Sequence, residues 1–300
     1  MSSRCREPSP ARRLGASARW IAPLAALMLL VSAAPPRPVL RVCADPNNLP
    51  FSNERQQGFE NRIASVLADE LHARLSYSWA PQWRGFIRKT LNAGQCDLLM
   101  GVPVDNDHVL TTRPYYTSTY VFLTRRDRHL AIHSFDDPRL RRLRIGVHFI
   151  GDDYLNPPPA HALARRHIVD NVKGYSIYGD YSKPDPPADL VHAVAHGDVD
   201  VAAIWGPFAG YFGARERVSM SVVPVRPAED PPGLRFTFAI AAGVRRGDTV
   251  LRARIDRALV QRRGEIERIL REYKVPLVPD ATSSRMAWRC PAGNKEQACG

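Results

Sequence analysis

VDVAAIWGPFAGYF, Val199 to Phe212, reads as a buried strand over Val199 to Trp205 that spills at Gly206-Pro207 into a loop carrying Phe208, Tyr211 and Phe212. An apolar run bounded by Gly and Pro is the pattern of a parallel-sheet strand covered on both faces, and ligand or partner surfaces form beyond the carboxyl ends of such strands. The same unit occurs earlier. Leu91 to Pro103 runs helix end, Gly94, two residues, Asp97, an apolar strand over Leu98 to Met100, then Gly101 and a proline. Val194 to Pro207 runs helix end, Gly197, two residues, Asp200, an apolar strand, then Gly206 and Pro207. Gly94 and Gly197 stand where a helix ends in the left-handed conformation that side chains resist. Two copies predict two α/β lobes of similar build, their strand-end loops facing each other across a cleft.

Upstream, Val39 to Val42 is a short strand, followed by ADPNNLPFSN, whose Asp, Asn and Pro residues oppose regular structure. Phe51 in that loop has no periodic partner and is either a hydrophobic plug or part of a binding surface. Phe59, Ile63, Val66, Leu67 and Leu71 recur at helical spacing, Leu75, Tyr77 and Trp79 alternate as a strand, and Trp83 to Leu91 forms a second helix. This βαβαβ order needs a parallel sheet with crossover helices on its faces. Tyr115 to Leu123 is an extended strand that crosses into the second lobe, where Leu143 to Phe149 begins afresh. From GDDY through NPPPAHALARR to DNVKGYSIYGDY the chain reads as irregular, before a helix over Ala188 to Ala195 feeds the opening stretch. Val222 to Val225 is a short strand and Phe236 to Gly243 returns to the first lobe. Two closing helices turn Leu251, Ile255 and Leu259, then Ile266, Ile269, Leu270 and Tyr273, inward. The predicted division is lobe 1 at 39–125 and 233–278, lobe 2 at 126–232, and a tail at 279–300.

The 300 residues are enough for two such lobes, and 44% hydrophobic with 24% charged content argues against a largely disordered chain. Residues 1–34 have the anatomy of a signal peptide: an Arg-rich start, an apolar segment Ile21 to Val31, and small residues at Ser32-Ala33-Ala34. That segment is shorter than the roughly 20 residues a membrane-spanning helix needs, so an exported protein with no span after cleavage is expected. The formal charge is +12, and the leader carries five arginines against Glu7, which leaves +8 afterwards. No basic tract is interleaved with stacking aromatics, which excludes nucleic acid as the expected partner. Cys43, Cys96, Cys290 and Cys299 remain, an even number suited to an oxidising compartment. Cys43 ends the first strand and Cys96 precedes Asp97 of the same lobe, so a bridge between them is geometrically reasonable. Cys290 and Cys299 would close a short loop in the tail, and four free buried thiols are the alternative. No pair has zinc-ligand spacing and the histidines are scattered, so neither a metal nor a cofactor is expected.

The lobe, lobe, return order is that of two-domain periplasmic binding proteins, and the chain resembles the type II extracellular solute-binding family over Val39 to Val278. Amino-acid binders of that family place a Thr and then an Arg after the first repeated unit to grip the ligand's carboxylate. Here the region is GVPVDNDHVL, with Asp105 and Asp107 where a cation would be wanted. A narrower resemblance accompanies this departure. CADPNNLPFSN, PQWRGFIR, GVP, TRPYY with STYVF, GDDY, PPAHALARR, DNVKGYSIYGDY and VDVAAIWGPFAGYF together look like the MoxJ/XoxJ group, solute-binding-like proteins associated with quinoprotein alcohol dehydrogenases. That resemblance implies a periplasmic accessory protein acting in maturation or activation of a pyrroloquinoline-quinone-dependent methanol or related alcohol dehydrogenase.

Phe51, Trp83, Phe86, Tyr115, Tyr116, Tyr154, Trp205, Phe208 and Tyr211 are candidates to line the cleft for a partner or a small solute. Arg84 and Arg113 beside them suit a partner's carboxylates. For Trp83, Phe86 and Trp205 core packing is the competing reading. Asp97 and Asp200 fit strand-start hydrogen bonding better than acid chemistry, and Asp152-Asp153-Tyr154 either binds a cation or caps a turn, the cap being favoured because an isolated acidic pair rarely makes a metal site. No nucleophile elbow, metal signature or acid/base pair appears, so catalysis is not expected. The alternative function is a transport receptor delivering a small solute to an ABC permease.

Overall fold

The computed structural model describes residues 37–149, 156–177 and 181–279. The expected signal peptide at 1–34, the Asp152-Asp153-Tyr154 turn, and Cys290 and Cys299 lie outside the described residues. The first half runs β1 (Val39–Ala44), a hairpin of β2 (Asn47–Asn48) and β3 (Ser52–Asn53), α1 (Phe59–Glu70), β4 (Arg74–Trp79), α2 (Phe86–Lys89), β5 (Leu98–Pro103), β6 (Leu110–Thr111) and β7 (Tyr116–Arg125). The second runs β8 (Ile145–Phe149), α3 (Pro158–Arg165), β9 (Val172–Ser176), α4 (Asp189–His196), β10 (Val201–Trp205), α5 (Gly206–Gly213) and β11 (Met220–Pro224). After β12 (Glu229–Asp230) and β13 (Leu234–Arg235), β14 (Thr237–Val244), α6 (Thr249–Gln261) and α7 (Arg263–Glu272) close the chain on the first half.

The sheet order β4-β1-β5-β14-β7-β10-β8-β9 repeats one arrangement. β1 lies parallel between β4 and β5, and β8 lies parallel between β9 and β10. β7 joins the halves, pairing antiparallel with β14 through Tyr116 to Thr119 and with β10 through Tyr120 to Leu123. Each half therefore has a point where its strand order reverses, β1/β5 and β8/β10, and the crevices beyond the carboxyl ends there are the binding positions of open α/β sheets.

The repeated unit is built alike in both places. Gly94 and Gly197 take φ of +75° and +81°, Gly197 as the cap of α4. Asp97 accepts from the Arg41 guanidinium at 2.9 and 2.7 Å, and Asp200 from the Arg144 guanidinium at 3.2 and 3.0 Å, each pair 56 residues apart. Each aspartate also takes its arginine's backbone N–H, which ties two parallel strands at their starts. These are the strand-start contacts the spacing predicts, and arginine holds both carboxyls below the ordinary range against the opposing effect of burial.

β10 is covered on both faces, as its unbroken apolar run requires. Ala202 and Ile204 enter a core with α4 and α5, while Val201 and Ala203 face one with Phe122, Phe135 and Phe236. In the first half Leu40 and Val42 meet α1, α6 and α7, and Cys43 turns to the opposite core, where it is bridged to Cys96 with 5.5 Å between the Cα atoms. The bridge expected from the sequence is present.

Three local readings are corrected. The residues after Trp205 are not a loop. They form α5, buried throughout, because Pro207 sits in a helix's first turn, where a missing N–H costs nothing. The helix expected over Trp83 to Leu91 shrinks to Phe86–Lys89, because Gly85 at φ +81° sets its start. The stretch read as irregular holds α3, begun by its proline run, and β9, paired in register with β8.

Candidate functional site

The loop leaving β1 crosses to the second half. Asp45 at its root is 2% exposed and accepts from the backbone N–H groups of Asn47 at 2.8 Å and Gln82 at 2.7 Å, and from the Tyr181 phenol at 2.6 Å. Asn47 donates to the Lys183 carbonyl at 2.8 Å and accepts from the Asp185 N–H at 3.3 Å. Leu49 enters the second half's core, and Phe51 lies between Phe59, with centroids 5.2 Å apart, and Phe208, edge-on at 5.1 Å. Of the two readings of Phe51, this packing is the plug. The crevice between the halves is thus bridged by the chain's own side chains.

Residues 40–275 match the family of bacterial extracellular solute-binding proteins, family 3. The chain belongs to that family. MoxJ of Methylorubrum extorquens AM1 is 33% identical over 255 residues, which span 83% of this chain and 84% of that one. The crystal structure of MxaJ from Methlophaga aminisulfidivorans MPT matches with a TM-score of 0.70 at 28% identity, and that of the periplasmic binding protein XoxJ from Methylobacterium extorquens AM1 with 0.66 at 35%. Each match covers 80% of this chain and all of the other. The type II two-lobed fold and the MoxJ/XoxJ resemblance both stand.

Around the crossing this family member gathers several predicted aromatics, most of them buried. Trp205 packs between Tyr120 at 5.2 Å and Phe238 at 5.9 Å and touches a core of each half. Tyr116 is buried edge-on against Phe59, and Phe208 beneath Phe51 and the His148 ring. Tyr211 stacks on Tyr273 at 5.5 Å, and the Arg215 guanidinium lies 3.5 Å from the centroid of the Tyr211 ring. Phe86 is buried beside the disulfide. Trp83 is the exception at 54% exposed, its ring edge-on to Tyr181 at 5.9 Å, with Arg84 exposed next to it. Arg113 is exposed too, its backbone N–H bonded to Asp256 of α6 at 2.7 Å. Tyr154 lies outside the described residues.

Two ionisable groups at this level escaped the sequence reading. Glu60, in the first turn of α1, is buried, and burial pushes its carboxyl up to about 8 despite the Tyr115 phenol, which donates to it at 3.3 Å. Tyr115 accepts in turn from the Gly101 N–H at 3.1 Å. A Cβ on Gly101, which has φ +74°, would stand 2.3 Å from the Glu60 carboxylate, so glycine there makes the space the acid fills. His148 on β8 is 3% exposed, its Nε2 3.2 Å from the Pro187 carbonyl and its Nδ1 without a partner, and burial lowers it to about 4. The one sequence sign of either was a polar residue beside apolar neighbours.

The acids noted after Pro103 do not offer a ligand grip. Asp105 is ion-paired with Arg235, which lowers its carboxyl, and Asp107 is exposed 3.6 Å from His108. Among the described residues no group of three His, Cys, Asp or Glu side chains converges as a metal site, and no helix is long and apolar enough to cross a membrane.

Proposed function

We propose that this chain is an exported periplasmic accessory protein that binds a pyrroloquinoline-quinone-dependent methanol or related alcohol dehydrogenase and aids its maturation or activation, without catalysis of its own. Export removes 1–34, leaving lobes at 39–125 with 233–278 and at 126–232. The observation that carries this reading is the bridged crevice. A solute receptor closes because its ligand favours the closed state, whereas here Asp45 with Tyr181 and Phe51 with Phe208 already join the halves. The region after β5 supports it, since Asp105 puts an anion where an amino-acid carboxylate would need a cation, and the neighbouring Arg235 guanidinium is paired with it. The MoxJ, MxaJ and XoxJ relatives point the same way. The partner surface takes its exposed groups from Trp83, Arg84 and Arg113, while Phe51, Trp205 and Phe208 pack between the halves.

The family's description favours a second reading, a receptor that delivers a small solute to an ABC permease. Biolayer interferometry of the mature chain against the host's quinoprotein dehydrogenase, in apo and holo forms, separates the two when run beside calorimetric titration with amino acids and small alcohols. The accessory reading expects a saturable complex with the enzyme and no solute heat. Tight solute binding with no enzyme complex would reverse it.

A further inference from the structure

We infer that the segment around Trp83 is a preformed docking surface for an acidic face of a protein partner, with the Trp83 ring as its anchor. The inference rests on the accessory reading and assigns it a place on the molecule. Trp83 is the one aromatic ring among the exposed large apolar side chains of the described residues, the others being Val and Leu. Exposed tryptophan flanked by arginine is the composition that dominates protein interfaces, because the ring buries a large area and the guanidinium pairs with carboxylates.

The ring is held in place before any partner arrives. Gln82 donates its N–H to buried Asp45 at 2.7 Å, Trp83 donates to the Pro81 carbonyl at 2.8 Å, and Phe86 donates to the Trp83 carbonyl at 3.0 Å. Phe86 then anchors the segment in the core beside the disulfide, and the Tyr181 ring supports one side of the indole. A backbone fixed on both sides of the exposed ring reduces the ordering cost of association.

Charge chooses the partner. Between Glu70 and Asp97 the sequence has no acidic residue, and Arg88 and Lys89 are both exposed within six positions of Trp83. The Arg88 and Lys89 side chains both come back over Gly85, two residues from Trp83, where a Cβ would lie 3.5 Å from the Arg88 guanidinium and 3.8 Å from Lys89 Cε. A bilayer would also attract cations and indole, but interfacial membrane binding buries a continuous apolar face. Here one ring stands among charges, which fits a slot in a protein surface ringed by carboxylates.

The test uses the mature chain against the host's quinoprotein dehydrogenase by biolayer interferometry at low and moderate salt, with vesicles of phosphatidylglycerol and phosphatidylcholine as a second probe. Trp83→Ala and the double variant Arg88→Glu, Lys89→Glu are each expected to weaken the enzyme complex about ten-fold or more. The double variant should also flatten its salt dependence, and both should melt as the parent does. If the parent binds and both variants bind equally well, the docking surface is wrong while the accessory reading stands. No parental complex overturns the accessory reading and the inference with it. Vesicle binding that the variants abolish, with enzyme binding untouched, assigns the surface to lipid and also overturns the inference.

Discussion

Arg41 with Asp97 in the first half and Arg144 with Asp200 in the second are near copies, yet the ionisable groups buried further along the two sheets have opposite character. The first half encloses Glu60, whose carboxyl stays protonated to about 8, and the second encloses His148, which stays neutral down to about 4. A repeated unit therefore fixes how strands start without fixing what their far ends enclose. Strand starts are set by local spacing and a two-pronged ion pair, whereas the far ends are assembled from segments distant in the chain.

The largest expected effects test that opposition through pH. Folded Glu60 keeps a proton that the unfolded chain releases above 4.5, so its share of stability is complete below that pH and is lost as pH rises to about 8. The shift bounds that loss at about 5 kcal/mol. Tyr115, Tyr116 and Tyr77 are the titratable neighbours, and burial keeps all three protonated throughout this window. His148 runs the other way. The unfolded chain takes up a proton below 6.5 that the folded one refuses until about 4, so stability falls as pH drops, by up to about 3 kcal/mol. Urea unfolding from pH 4 to 8.5 should show the two slopes cancelling between 4.5 and 6.5 in the parent, with a decline above. Glu60→Gln should remove the decline, and His148→Phe should extend it down to 4.5. Difference curves that stay flat for both variants would mean neither group is buried as described.

Next in size is the end of the repeated unit. The second copy ends on Trp205, wedged between Tyr120 and Phe238, where the first ends on Gly101 to Pro103 with no aromatic ring. Trp205 is partly buried, so Trp205→Ala is expected to cost about 2 to 3 kcal/mol by urea titration, less than truncation of a fully buried ring. A cost near zero would return Trp205 to the surface and make the two strand ends alike.

The aspartates should behave as equals. Asp97→Asn and Asp200→Asn each give up paired guanidinium contacts that are partly exposed, so each should cost about 1 to 2 kcal/mol. Losses that differ by more than about 1 kcal/mol would show that the second guanidiniums, Arg245 on Asp97 and Arg128 on Asp200, are not equivalent.

Legibility in the sequence followed the same division. The Gly-x-x-Asp spacing, the doubly covered β10 and the Cys43–Cys96 bridge depend on neighbours along one strand or on the pairing of adjacent strands, and all were readable. Pro207 was read as a breaker when it opens α5, because proline ends one helix and begins another by the same missing N–H. Glu60 looks like an ordinary first-turn acid, since nothing near it reveals that Gly101 and Tyr115 will fold over it. The contact of Asp45 with Tyr181 spans 136 residues and has no local signature at all. The candidate aromatics look alike in the sequence, and packing separates them into a buried or half-buried set and the exposed Trp83.

The smallest expected effect is the most discriminating for that separation. Trp83 is more than half exposed, and the hydrogen bonds holding its segment run through backbone atoms that alanine retains. Trp83→Ala should therefore change stability by less than about 0.5 kcal/mol, the range of surface substitutions without a structural partner. Its edge-on contact with Tyr181 is the one term that can enlarge this, and the contact lies at the crossing between the halves. A loss of about 1 kcal/mol or more would mean that the indole helps to hold the crevice bridged, since aromatic pairs contribute on that scale. An unchanged midpoint leaves a tryptophan exposed at no benefit to the fold, so any binding it loses on truncation belongs to the interface and not to unfolding.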